Sequence, residues 1–399
     1  MGSNTLALPP RTFTPPATVK ALVTGLVVLM VLTPAAIAIH AGAYDSFFDN
    51  SLAGFGMWGT FAIHMWTRPD RREILLTVVL GFALRLVYDL AIGERGYVGS
   101  LVIGMGIFLG LASLAVMAVR SLEKPSERRV VCRRSLGVIA LLTYLGFCLG
   151  FYLPFARAVL PRKFDYYLYQ FDGALGIQPA FLAGRLFARF RPLFWIELMV
   201  YNCFGFWFSI IYAAHANTRV KYPVNVVKML VANALIGFSL YFLCPAMGPK
   251  YAFPAFPDLP AAVRATPVLL WGVPNAMPSL HFGGAVLLFW FSQPWKWLHR
   301  FLGLFAVLTA VATLGLGEHY LIDLVVAVPY ALAILAFSSN TPQRKLPLAA
   351  GAAMVLFWLA TLRSVHFSPV AAWALVLATV GSALLLQRRL AARLWTALE

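Results

Sequence analysis

Charge is scarce in this chain of 399 residues: Asp, Glu, Lys and Arg make up 12% of it, against about a quarter in soluble proteins. With 61% hydrophobic residues and a mean hydropathy of +0.78, that scarcity excludes an ordinary soluble domain and fits an integral membrane protein. Acid is scarcer than base, with 15 Asp and Glu facing 32 Lys and Arg for a formal charge of +17. No basic helix interleaved with aromatics accompanies the excess, so no nucleic-acid partner is expected, and the basic residues read as cytoplasmic flanks of membrane helices. Four cysteines, Cys132, Cys148, Cys203 and Cys244, form no CxxC pair, which argues against a disulfide framework or a thiolate metal cage. A Gly-rich phosphate loop, an internal repeat and a polar domain large enough to fold outside the bilayer are also missing.

What is present is a long series of apolar windows. They fall at 21–43, 52–66, 74–92, 98–119, 135–159, 192–216, 226–244, 278–292, 300–317, 320–338, 348–363 and 370–387. At roughly 20 residues per crossing they predict an all-α polytopic protein of about twelve transmembrane helices. The first window exceeds the apolar core of a cleavable signal peptide and is read as a retained span. With a cytoplasmic N-terminus, 21 of the 32 basic residues fall on the cytoplasmic side and ten on the other. Arg85 is left within a span. This bias puts both termini in the cytoplasm. The basic stretch from Arg157 to Arg191 is expected to lie along the outer interface as an amphipathic piece, and a Pro-rich outer loop runs from Pro245 to Pro274.

One polar constellation stands out. "WGVPNAMPSLHFGGAV" places His281 at the outer start of the eighth window, and "GLGEHYLIDLVVA" places His319 four residues before Asp323 at the outer start of the tenth. The intervening hairpin returns the chain to the leaflet it left, so both histidines share one side. Positions i and i+4 share a helix face, so Asp323 can accept a hydrogen bond from one ring nitrogen of His319 and leave the other aimed outward. An oriented imidazole of that kind is a nucleophile. Lys250, in "CPAMGPKY", supplies a cation on the same side. Ser279 and the free N–H groups at the start of the eighth helix offer donors for phosphate oxygens. In-line positioning, charge neutralisation and a proton for the leaving group are what phosphoryl transfer requires.

These residues resemble a family. "PNAMPSLHFG" and "HYLID" are similar to the second and third signature motifs of the type-2 phosphatidic acid phosphatase superfamily, and closest to its inositol phosphorylceramide synthase-like branch. The resemblance covers Asp165 to Pro329 and includes "FDGALG", Phe171 to Gly176. It implies a six-helix core, a phosphohistidine intermediate at His319 oriented by Asp323, a proton donor at His281, and no metal or other cofactor. The first family motif is not intact. Lys250 stands where the branch often has arginine, and Thr313 occupies another arginine position. Lys250, Ser279, Tyr251 and Tyr320 are the candidates for holding substrate phosphate, and Glu318 has no counterpart role. The resemblance divides the chain into N-terminal membrane helices of unknown role (1–134), a catalytic core (135–338) and C-terminal helices with a basic tail (339–399).

The function this predicts is a lipid phosphotransferase, moving a phosphoryl or phospho-head-group unit from a lipid donor to a lipid or alcohol acceptor on the non-cytoplasmic face. With water as acceptor the same residues make a lipid phosphate phosphatase. Weaker alternatives are a transporter, which the missing repeat argues against, and a glycosyltransferase, since Asp45 and Asp49 resemble the loop carboxylates of such enzymes. A solvated turn is the plainer reading of that pair. Arg85 and Asp89, four apart in the third window, are expected to form a structural ion pair. Glu197 either faces a lipid-access groove or is structural. His40, His64, His215, His299 and His366 lack an acidic partner at helical spacing and are read as boundary residues.

Overall fold

The computed structural model describes residues 51–91, 100–216, 222–260, 263–363 and 366–395. Its helices are α1 (Ser51–Trp66), α2 (Arg71–Ala91), α3 (Leu101–Leu122), α4 (Glu127–Val159), α5 (Asp165–Ala174), α6 (Pro179–Arg189), α7 (Arg191–Asn202), α8 (Phe204–Ala216), α9 (Val226–Leu240) and the short α10 (Pro249–Ala252). They continue with α11 (Leu280–Phe291), α12 (Lys296–Gly315), α13 (Leu321–Ser338), a 3-10 turn (Pro342–Arg344), α14 (Lys345–Thr361) and α15 (Pro369–Trp395). The one sheet among the described residues is a two-residue antiparallel ribbon pairing β1 (Arg162–Lys163) with β2 (Val268–Leu269). The protein is all-α, as expected.

The number of spans is corrected. Among the described residues five helices are long and apolar enough to cross a membrane, namely α2, α3, α12, α13 and α15, and the bent pair α7 and α8 makes up to six. Several windows fold into shorter pieces: α1 has 16 residues, α9 has 15, α11 has 12 and α14 has 17. At 1.5 Å per residue a helix like α11 covers only about 18 Å of a hydrocarbon core about 30 Å thick. The window at 21–43 lies outside the described residues. So do His40, Asp45 and Asp49.

α13 is the hub, packing against α5, α9, α11, α14 and α15. Its apolar window is 89% buried, whereas that of α2 is 17% buried, so α13 is a core helix and α2 presents its apolar side chains outward to lipid. The ion pair expected in α2 forms, with Arg85 Nε 2.7 Å from Asp89 Oδ2. A second pair was not foreseen. Arg120, at the end of α3, is buried against Glu73 at 2.7 Å. Beside it His64 is fully buried, with Nδ1 3.5 Å from the Thr77 hydroxyl, and is therefore no boundary residue.

Candidate active site

The local chain geometry around His319 follows from how α12 ends. Gly317 adopts φ 73°, a left-handed conformation that glycine takes without steric cost. The carbonyl of Thr313 then accepts from both Glu318 N (3.1 Å) and His319 N (3.2 Å). Gly248, at φ 98°, packs against this turn, and a Cβ there would lie 2.3 Å from the Glu318 carbonyl oxygen. The Lys250 amide donates to Gly317 O at 3.0 Å. The loop carrying Lys250 is thereby fixed to the loop carrying His319.

His319 is buried, and its Nδ1 lies 2.9 Å from the carbonyl oxygen of Ala276 and 3.5 Å from Asp323 Oδ2. A carbonyl only accepts, so Nδ1 carries the proton and Nε2 keeps the lone pair. The nearer partner is thus a backbone carbonyl rather than the expected carboxylate. Asp323 Oδ2 accepts from the Tyr320 amide at 2.7 Å, and its own main-chain carbonyl accepts from Ser279 N at 3.2 Å. Burial holds the His319 pKa down to about 4, with the Glu318 carboxylate acting in the opposite sense. The ring is therefore neutral near pH 7.

The bonds from His319 to Ala276 and from Ser279 to Asp323 stitch the segment ahead of α11 onto the start of α13. His281, in the first turn of α11, lies within electrostatic range of His319. Its ring stacks on Tyr201 at 3.9 Å and 20°, with Phe204 at 5.7 Å. Tyr201 and Phe204 flank the break between α7 and α8, where the chain bends by 44°. Sequence reading missed Tyr201, because an aromatic in an apolar window carries no local signal. Glu197, one turn earlier in α7, is buried with Oε2 lacking a partner.

Three further carboxyls set the frame. Asp172, in the "FDGALG" stretch, accepts from the amides of Leu321 (2.8 Å) and Ile322 (3.2 Å) and so caps α13 from outside. Asp165 accepts from Met247 N (3.1 Å), Gly248 N (2.9 Å) and the Tyr320 hydroxyl (3.1 Å). Burial raises its pKa to about 6, and those three donors pull it back. Glu318 accepts from the Tyr251 hydroxyl at 3.0 Å. Among the phosphate candidates, Lys250 and Tyr251 are exposed beside Glu318. Ser279 is buried, and its side chain accepts from Phe282 N as the N-cap of α11. Tyr320 is fully buried, and its hydroxyl is committed to Asp165. Two cavities of about 620 and 200 Å³ flank α5, and neither is lined by a histidine of the pair 281 and 319.

Residues 166–337 match the family model of the PAP2 superfamily. The match covers nearly the same stretch as the motif resemblance, and it takes in Glu197, Lys250, His281, His319 and Asp323 alike. A PAP2 superfamily domain implies a metal-independent membrane enzyme of the phosphatase or phosphotransferase kind. Comparison with curated proteins and with solved structures gave no match.

Proposed function

We propose that this PAP2 superfamily protein is a lipid phosphotransferase that works through a phosphohistidine at His319. The observation that carries the reading is the 2.9 Å approach of His319 Nδ1 to the Ala276 carbonyl, because it leaves Nε2 unprotonated. In the first half-reaction Nε2 attacks phosphorus, the bond from phosphorus to the departing oxygen breaks, and His281 gives that oxygen a proton. In the second, His281 takes the proton of an incoming hydroxyl, that oxygen attacks phosphorus, and the phosphorus–nitrogen bond breaks. Asp323, 3.5 Å from Nδ1, stabilises the positive charge that His319 acquires on attack. Lys250 neutralises phosphate oxygens, and the N-terminal amides of α11, behind Ser279, add donors. Tyr251 lines the approach.

The inositol phosphorylceramide synthase-like wording of both motifs favours a lipid or alcohol acceptor over water. In this reading the site faces the non-cytoplasmic leaflet, with both termini in the cytoplasm, and the chain divides at about residues 134 and 338. The test is direct. Purified protein is incubated with lipids carrying radiolabelled phosphorus, with and without ceramide, diacylglycerol or inositol. Base-stable, acid-labile label on the protein, absent in His319→Ala, together with label in a new lipid, supports the transferase. Label released only as a water-soluble phosphate shows a phosphatase, and no protein-bound label at any time refutes the phosphohistidine.

A further inference from the structure

Glu318 is the charged group beside the nucleophile that the mechanism above leaves unused. Its position is built rather than incidental. It follows the left-handed Gly317, its main chain is packed against Gly248, and its carboxylate accepts the Tyr251 hydroxyl at 3.0 Å. The side chains that act on it electrostatically are Lys250, Tyr251 and His319, and the hydroxyl of Tyr201 also lies within its field. Two carboxylates bear on the His319 ring, Asp323 at 3.5 Å from Nδ1 and Glu318 through its charge. Thr313, at the position where an arginine would clamp phosphate, is buried and donates its hydroxyl to Ala310 O.

The charge balance of this site has a consequence for its substrate. A phosphate monoester carries about −1.5 to −2 near neutral pH, because its second pKa is about 6, whereas a phosphodiester carries a single negative charge. A site built for the monoester needs cations enough to offset the second charge. Here Lys250 is exposed beside Glu318 and already acts on its carboxylate, so that cation is shared between the carboxylate and whatever phosphate arrives. Lys250 and Tyr251 are exposed, and at the effective dielectric of a protein surface one surplus negative charge at contact range costs at least about an order of magnitude in occupancy.

We propose that Glu318 is a specificity-determining residue that makes the donor a phosphodiester lipid and excludes lipid phosphate monoesters. The inference rests on the phosphohistidine reading and deepens it. A diester phosphorus accepts Nε2 of His319 while one P–O ester bond breaks. The head-group oxygen stays on phosphorus, and the departing lipid alcohol leaves with the proton from His281. Burial raises the pKa of the Glu318 carboxyl, while Lys250, the Tyr251 hydroxyl and His319 act in the opposite sense.

The test uses the full chain in detergent micelles and acyl-matched, phosphorus-labelled phosphatidic acid, phosphatidylglycerol, phosphatidylethanolamine and phosphatidylinositol. Single-turnover labelling of the protein is measured for wild type, Glu318→Gln and Glu318→Asp, each first checked for a monodisperse gel-filtration peak. Wild type is expected to label at least about tenfold faster from its best diester than from phosphatidic acid. Glu318→Gln should close most of that gap by gaining on the monoester, and Glu318→Asp should keep it. Equal wild-type labelling from phosphatidic acid, or a diester-to-monoester ratio that Glu318→Gln leaves untouched, overturns the role of Glu318 while sparing the phosphohistidine. Labelling from none of the four lipids overturns the histidine chemistry itself.

Discussion

Asp165 and Tyr320, 155 positions apart in the chain, share a hydrogen bond of 3.1 Å in the fully buried frame behind the paired histidines. The same carboxyl holds the amides of Met247 and Gly248, so one side chain ties the Lys250 loop to the residue that follows His319. Removing the phenol hydroxyl leaves Asp165 short of a donor. Tyr320→Phe is therefore expected to lower stability by about 1.5 to 3 kcal/mol, the range for hydrogen bonds to charged groups. Thermal unfolding followed by intrinsic fluorescence would read this, and an unshifted midpoint would show that the bond contributes nothing.

His319→Ala should abolish turnover and protein-bound phosphate while leaving the elution volume of the purified protein unchanged. His281→Ala should slow turnover about 10² to 10⁴-fold, the usual contribution of a general acid, with the greatest loss on donors whose leaving alcohol has a high pKa. A substrate with a good leaving group such as nitrophenolate needs no proton. Its phosphorylation step should be nearly insensitive to His281→Ala, and equal losses on both donor types would remove His281 from the acid role.

Asp323→Asn keeps an oxygen able to accept from the Tyr320 amide but deletes the charge 3.5 Å from His319. Turnover is expected to fall about 10²-fold with little change in melting temperature. Activity and unfolding measured on one preparation separate these effects. A collapse of stability with full activity per folded molecule would make Asp323 a structural cap only.

The pH dependence follows from the buried nucleophile. Burial lowers the His319 pKa from 6.5 to about 4, so the free enzyme keeps a neutral, competent ring down to about pH 4. The rate attributable to that ring is lost only as pH falls through about 4, not near 6.5. Stability has its own window. Between 6.5 and about 4 the unfolded chain binds a proton that the folded ring does not, so stability falls as pH drops across that interval and then levels. An acid limb near 6.5 in kcat/KM, with substrate ionisation controlled, would contradict this.

In the N-terminal helices, Arg120→Ala strands Glu73 beside the buried His64. Breaking one partner of a buried pair costs about 3 to 5 kcal/mol, so the variant should unfold at markedly lower temperature. Activity per folded molecule should stay near wild type, because neither residue is placed near His319. A normal melting point would show that the pair is dispensable.

What could be read in the chain beforehand was proximity carried by short spacing. His319 and Asp323 lie one turn apart, and His281 returns to them through a single hairpin, so local periodicity sufficed. Asp165 and Tyr201 could not be found that way, since each meets its partner across the fold, Asp165 at Tyr320 and Tyr201 at His281. Tyr320 is buried with its hydroxyl on Asp165, and adjacency to His319 in the chain does not fix where a phenol points. The overcounted spans have a related cause. Hydropathy averages over 192–216 without registering that the helix bends at Cys203, and over 278–292 without registering that Pro278 and Ser279 precede the helix rather than belong to it.

The back-to-back glycines, Gly248 and Gly317, mount Lys250 and His319 on one clasp of main chain. Their spacing is therefore ruled by backbone contact, not by rotamers that could yield to a bulkier guest. On the proposed reading, such a fixed gauge leaves the sorting of head groups by size to the exposed side chain at its rim, the Tyr251 phenol.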